Sequence, residues 1–168
     1  MQRRALLKLG IATSVVLALA GGGVAMFRPA WREGRLTSAG RMVFRAVALA
    51  VLDGTLPADV ATREVALAAH LERLEATLRG LPNHTQGEVA DLIALLAMPP
   101  GRVALAGLAN SWDQASIADL QAALQSMRLS SLALRQQAYH ALRDLTHAAY
   151  FSDASTWALL DYPGPRDI

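Results

Sequence analysis

The sequence predicts an all-α fold: one compact domain of five to six helices behind an N-terminal signal or anchor segment. Three observations predict it. Alanine supplies 33 of the 168 residues and leucine 28, against 14 for valine and isoleucine together. Alanine and leucine lose little side-chain freedom in a helix, whereas β-branched residues lose more. Apolar residues also recur at helical spacing, most plainly Leu67, Leu71, Leu74, Leu78 and Leu81, at offsets of 4, 7, 11 and 14. Finally, no segment alternates apolar and polar residues over strand length. The chain has no cysteine, which excludes a disulfide scaffold, a thiolate nucleophile and an iron–sulfur cluster.

Residues 1–30 carry the signature of an export segment. A basic head, Met1 to Lys8, precedes 19 uncharged residues from Leu9 to Phe27, and small residues lie within and after the run. The head resembles a twin-arginine signal, with Arg3 and Arg4, then the apolar pair Leu6 and Leu7, then Lys8. Ala18-Leu19-Ala20 offers a small-x-small cleavage site. At ~1.5 Å per residue the run is also just long enough for a bilayer core of ~30 Å, so a retained inner-membrane anchor through residues 9–27 stays open beside cleavage. The three consecutive glycines 21–23 weaken a spanning helix by roughly 1 kcal/mol each and favour cleavage. Removal after Ala20 takes Arg3, Arg4 and Lys8 away and leaves 13 basic residues against 14 acidic, turning the formal +2 into −1. The basic balance therefore belongs to the signal and is no argument for a nucleic-acid partner.

The remaining elements, residues 36–168, follow in order. Thr37 or Ser38 caps a helix that buries Val43, Val47 and Val51 and stops near Gly54. The leucine stripe forms a second helix, on which Glu75 and Arg79 stand four apart as a surface pair, and Gly80 and Pro82 end it. Thr85-Gln-Gly-Glu88 has the form of a capping box opening a third helix through Val89, Leu92, Ile93 and Leu96 to Pro99-Pro100-Gly101. A loose apolar stretch, Val103 to Leu108, comes next. Ser116-Ile-Ala-Asp119 opens another helix through Leu120, Leu124 and Met127. Ser130-Ser131 caps the last long one, from about Leu132 to Phe151, with Leu134, Ala138, Leu142, Leu145 and Ala149 inward. Ser152-Asp153 starts one further turn carrying Trp157, and Pro163-Gly164-Pro165 breaks the chain.

The pattern assigns no catalytic, cofactor-binding or metal-binding residue. His140, Asp144 and His147 share a helix face, but the two histidines lie about 10 Å apart along the axis, so a surface salt bridge through Asp144 is expected. His70 and His84 are expected to be structural or solvated. There is no Gly-x-Ser-x-Gly elbow, and Gly21-Gly22-Gly23 lacks the lysine of a phosphate loop. The tail stands out instead: four of the nine aromatic residues fall between Tyr150 and Tyr162. Such side chains either staple the last helices onto the core or meet another subunit.

Tyr150-Phe151-Ser152-Asp153-Ala154-Ser155-Thr156-Trp157, followed by Asp161-Tyr162-Pro163-Gly164-Pro165, resembles the ending of the gluconate 2-dehydrogenase subunit 3 family, Tyr-Tyr-Ser-Asp-Pro-x-x-Trp…Gly-Tyr-Pro-Gly-Pro. The front is similar too, with a twin-arginine leader, Leu36-Thr37-Ser38-Ala39 and Val51-Leu52-Asp53-Gly54. The family usually has proline at the positions of Asp53 and Ala154. The resemblance implies a non-catalytic small subunit without a cofactor of its own, bound to a large flavoprotein dehydrogenase of the glucose–methanol–choline type that holds FAD and oxidises an alcohol, sugar or sugar acid. It also implies passage through the twin-arginine translocase to the periplasm, and allows a cytochrome c subunit as a further partner. Tyr150, Phe151, Trp157, Tyr162 and Pro163 are then the expected contacts with the partner. The alternative is a free-standing periplasmic or membrane-anchored helical protein with a ligand of its own.

Overall fold

From Pro29 the chain enters the body through a hairpin of two-residue strands, β1 (Trp31–Arg32) and β2 (Arg35–Leu36), paired antiparallel with Trp31 opposite Leu36. The computed structural model describes residues 29–164. The expected export residues Arg3, Arg4, Leu6, Leu7 and Lys8, the run 9–27, its cleavage site and Pro165 lie outside the described residues. Glu33 and Gly34 have φ of 51° and 76°, the left-handed pair that a two-residue hairpin turn requires. The sequence did not predict this hairpin. Its strands are too short to show alternation, and the Arg79 guanidinium fixes it by donating to the Gly34 carbonyl at 2.9 Å.

Five longer helices make the body: α1 (Ser38–Val51), α2 (Val60–Arg79), α3 (Asn83–Ala97), α4 (Ile117–Arg128) and α5 (Ala133–Phe151). The all-helical prediction therefore holds. Helix α1 is the centre, packed against the other four. Its buried residues Gly40, Val43, Phe44, Ala46, Val47, Ala48 and Ala50 lie on more than one face, as an axial helix requires. Thr37 caps it as expected, accepting from the Gly40 amide at 3.4 Å and donating to the Pro29 carbonyl at 2.8 Å. Gly40 allows the entering chain to pass, since a Cβ there would stand 2.4 Å from the Ala30 oxygen.

The leucine stripe faces inward: Leu67, Leu71, Leu74 and Leu78 of α2 are buried, and Leu81 packs partly against the core. Glu75 and Arg79 do not pair. Glu75 is itself buried, accepting from the Leu36 amide at 3.2 Å and pairing with Arg41 at 2.9 Å, while Arg79 serves the hairpin. At α3 the capping-box expectation fails. Pro82 occupies the cap position without a side-chain bond, the helix starts at Asn83, and Thr85 lies inside it. With Pro82 at the cap, the helix starts three residues earlier than a Thr85 cap would allow. Gln86 turns back to satisfy the Leu81 and Arg79 carbonyls at 2.8 and 3.3 Å.

The loose stretch after α3 is ordered by side chains. A single turn, Pro99–Gly101, runs into a π-helical turn, Arg102–Ala106, closed by Gly107 at φ 69°. Gly101 is required there, because a Cβ would lie 2.0 Å from the Leu95 oxygen. The buried Arg102 donates to the Leu108 and Ala109 carbonyls, each at 3.1 Å, and Arg135 reaches Leu105 O at 2.7 Å. Trp112, also buried, donates to Leu96 O at 2.8 Å. The predicted capping box at Ser116 and Asp119 is present in both directions. Before α5, Ser130 accepts from the Leu132 amide at 3.2 Å, but the cap position itself is Leu132 and carries no side-chain bond.

Candidate functional site

The tail forms as expected, a 3-10 helix over Ala154–Leu160 with Asp153 at its start. Ser152, Asp153, Thr156 and Trp157 of the aromatic motif each have a structural task. Ser152 donates to Ala149 O at 2.9 Å, closing the end of α5. Asp153 accepts from the Ser155 amide at 3.0 Å and from its hydroxyl at 2.8 Å, and these bonds, with Arg73 nearby, hold its carboxyl below the usual range. The buried Thr156 hydroxyl lies against the Asp153 and Tyr150 carbonyls at 2.7 and 3.2 Å. Trp157 donates its indole N–H to Phe151 O at 2.8 Å.

These bonds sort the five expected contact residues. Tyr150 is core: it is 6% exposed, belongs to the apolar cluster of Ala48, Leu52 and Leu67, and donates its hydroxyl to Thr55 O at 3.1 Å. Its ring is therefore withdrawn from any surface. Phe151 is half-buried, edge-on to Tyr150 at 5.2 Å. Trp157 is also half-buried and meets Tyr162 edge-on at 5.4 Å. Tyr162 is 47% and Leu159 55% exposed, and Pro163 is exposed beside them. Gly164, at φ 97°, brings the backbone against the indole, 3.4 Å from Cζ3 to where a Cβ would stand. The motif thus builds a fixed ledge on which Leu159, Tyr162 and Pro163 are exposed.

Arg73 is the residue that sequence reasoning missed. From the middle of α2 it donates Nε to Ala149 O at 3.2 Å and pairs Nη1 with Asp153 at 3.1 Å, tying α2 to the start of the ledge. Nothing in the local sequence marks it, because both partners lie more than seventy residues away.

The histidines divide. His70 is fully buried beside the Tyr150 ring, and neither ring nitrogen has a hydrogen-bond partner. Burial, reinforced by Arg73, lowers its pKa from 6.5 to about 4. The expected bridge from Asp144 to a histidine is not made, since Asp144 pairs with Arg143 at 3.0 Å. His147 is held below its ordinary pKa by burial and by Arg143, which together outweigh Asp144. Burial pushes Asp91 up.

Among the described residues no three histidine or carboxylate side chains stand close enough to hold a metal ion, and no single helix is long and apolar enough to cross a membrane. A cavity between the hairpin and α1, α2 and α3, lined by Trp31, Leu36, Phe44 and Ile93 among others, measures about 10 Å³, room for no more than a water molecule. No protein-family model matches the chain, and neither the curated proteins nor the solved structures give a match.

Proposed function

We propose that this chain is a non-catalytic small subunit that binds, stabilises and escorts a folded FAD-dependent dehydrogenase through twin-arginine export. The observation that carries the proposal is the ledge. Residues of the family-like ending, Ser152, Asp153, Trp157 and Gly164, are those that build it, and they leave Leu159 and Tyr162 facing outward. An aromatic and aliphatic surface on a rigid mount suits a protein partner, because ordering cost is already met before binding. Two departures from the family pattern are compatible with this reading. Ala154 is the first residue of the 3-10 helix, where proline is tolerated, and Asp53 accepts from Gln121 at 3.1 Å beside Gly54 at φ 80°. Flavin chemistry and substrate choice then belong to the large subunit, and the export signal of this chain serves both.

The test is co-expression with the candidate flavoprotein. Replacing Arg3 and Arg4 by lysine should strand both proteins in the cytoplasm. Arrival of the flavoprotein in the periplasm with that variant would sink the escort role. A chain that purifies as a monomer and never carries a protein with bound FAD would support the free-standing alternative.

A further inference from the structure

The start of the described body carries a second surface, at the hairpin. Arg32 and Arg35 lie opposite one another across the hairpin, and Arg79 is bonded to the Gly34 carbonyl at its turn. All three are exposed, as are Glu33 in the turn and Glu72, two helical turns before Arg79. Glu75, behind them, is buried and paired with Arg41. Trp31, half-buried, sits at the same end. The entering backbone is held by Thr37, whose hydroxyl donates to Pro29 O at 2.8 Å and whose amide donates to Ala30 O at 3.0 Å.

This pinning gives the arginines a definite place relative to what precedes them. The uncharged run ends at Phe27, two residues before Pro29, a reach of at most ~7 Å. Arg32 follows within ~10 Å of strand, with Arg35 in register beside it. A run held in a bilayer therefore tethers Arg32 and Arg35 within at most ~17 Å of its last uncharged residue, near enough for the body to settle with its guanidinium groups at the headgroup layer. Guanidinium binds phosphate through paired N–H donors.

We propose, on the reading that residues 9–27 lie in a bilayer during or after export, that the Arg32–Arg35–Arg79 face docks on anionic phospholipid headgroups and so orients the body against the membrane. Helix α1 leads away from this face, and the Gln121 side chain of α4 bonds to Ala50 O at its far end. The neighbouring Ala122 is therefore carried away from the bilayer.

The absence of cysteine allows a clean test. The full chain carrying a fluorophore at Ser38→Cys, next to the hairpin, or at the remote Ala122→Cys is reconstituted into vesicles whose headgroups bear a quencher. Phosphatidylcholine vesicles are compared with vesicles containing about 30% phosphatidylglycerol, and flotation reports membrane association. The expected result is at least about twofold more quenching at position 38 in the anionic vesicles, lost in about 0.5 M salt or with Arg32→Glu/Arg35→Glu, and no change at 122. A chain that floats with both vesicle types yet shows equal quenching at 38 overturns the docking face and leaves the membrane reading standing. A chain that floats with neither overturns both.

Discussion

Replacing His70 by leucine should remove a large part of the difference between the stability of this protein at neutral and at mildly acidic pH, leaving the smaller part that His147 contributes. His70 is enclosed between α2 and α5 with both nitrogens unpartnered, and Arg73 is the charged neighbour that acts on it. The Tyr150 phenol at its side is already committed to Thr55 O. The folded protein thus protonates this ring only near pH 4, whereas the unfolded chain does so near 6.5. Between those values the unfolded state binds more protons, so stability falls as pH drops below 6.5 and the loss is complete once the folded form also titrates. The interval, at ~1.4 kcal/mol per pH unit, amounts to about 3 kcal/mol, and about 2 kcal/mol of it is lost by pH 5. Leucine has no proton to bind and leaves no buried nitrogen unpaired, so the variant should also gain about 1–2 kcal/mol at pH 7.5. Urea unfolding followed by circular dichroism at pH 7.5, 6 and 5 reads both effects. Carboxylates act alike in the two proteins and cancel in the difference. Parallel pH profiles for the wild type and His70→Leu would refute the reasoning.

The other predictions concern the ledge and two glycines. Arg73→Met should free the start of the tail at a cost of about 1–2 kcal/mol, and hydrogen exchange should speed up at residues 152–157 far more than in α4. Tyr162→Ala combined with Leu159→Ala should leave the thermal midpoint nearly unchanged but weaken recovery of the flavoprotein partner at least about tenfold, as truncation of an interface anchor does. Gly101→Ala should destabilise by about 2–3 kcal/mol, because its Cβ would stand 2.0 Å from Leu95 O. Gly87→Ala, inside α3 with nothing within 4 Å, should instead stabilise by about 0.5–1 kcal/mol, so the pair measured by denaturation separates close contact from helix propensity.

Local signals were legible where the helix itself settles the outcome. The leucines of α2 and the Ser116–Asp119 box answer to spacing of three and four residues, and both stand where the sequence puts them. Signals failed where a distant segment intervened. Glu75 and Arg79 have the spacing of a surface pair, but the hairpin lies over that end of α2 and takes each of them separately. Thr85 fits a capping box, yet Pro82 opens the helix sooner. In the tail the turn carrying Trp157 was readable, whereas the burial of Tyr150 was not, because it depends on Leu67 and Thr55 arriving from elsewhere in the chain. Arg73 was invisible for the same reason.

The central position of α1 sets an order of events during synthesis. This helix is the first of the five to leave the ribosome, and the surfaces that enclose it, down to α5, are made up to a hundred residues later. At roughly 5–20 residues per second, α1 waits about 5–20 s for its last neighbour. The part of its apolar surface that α5 covers stays open throughout that interval, so the front of the chain cannot be completed before its end is made. Truncated chains that lack α5 should therefore be captured by chaperones, and the body closes only when nearly the whole sequence is available.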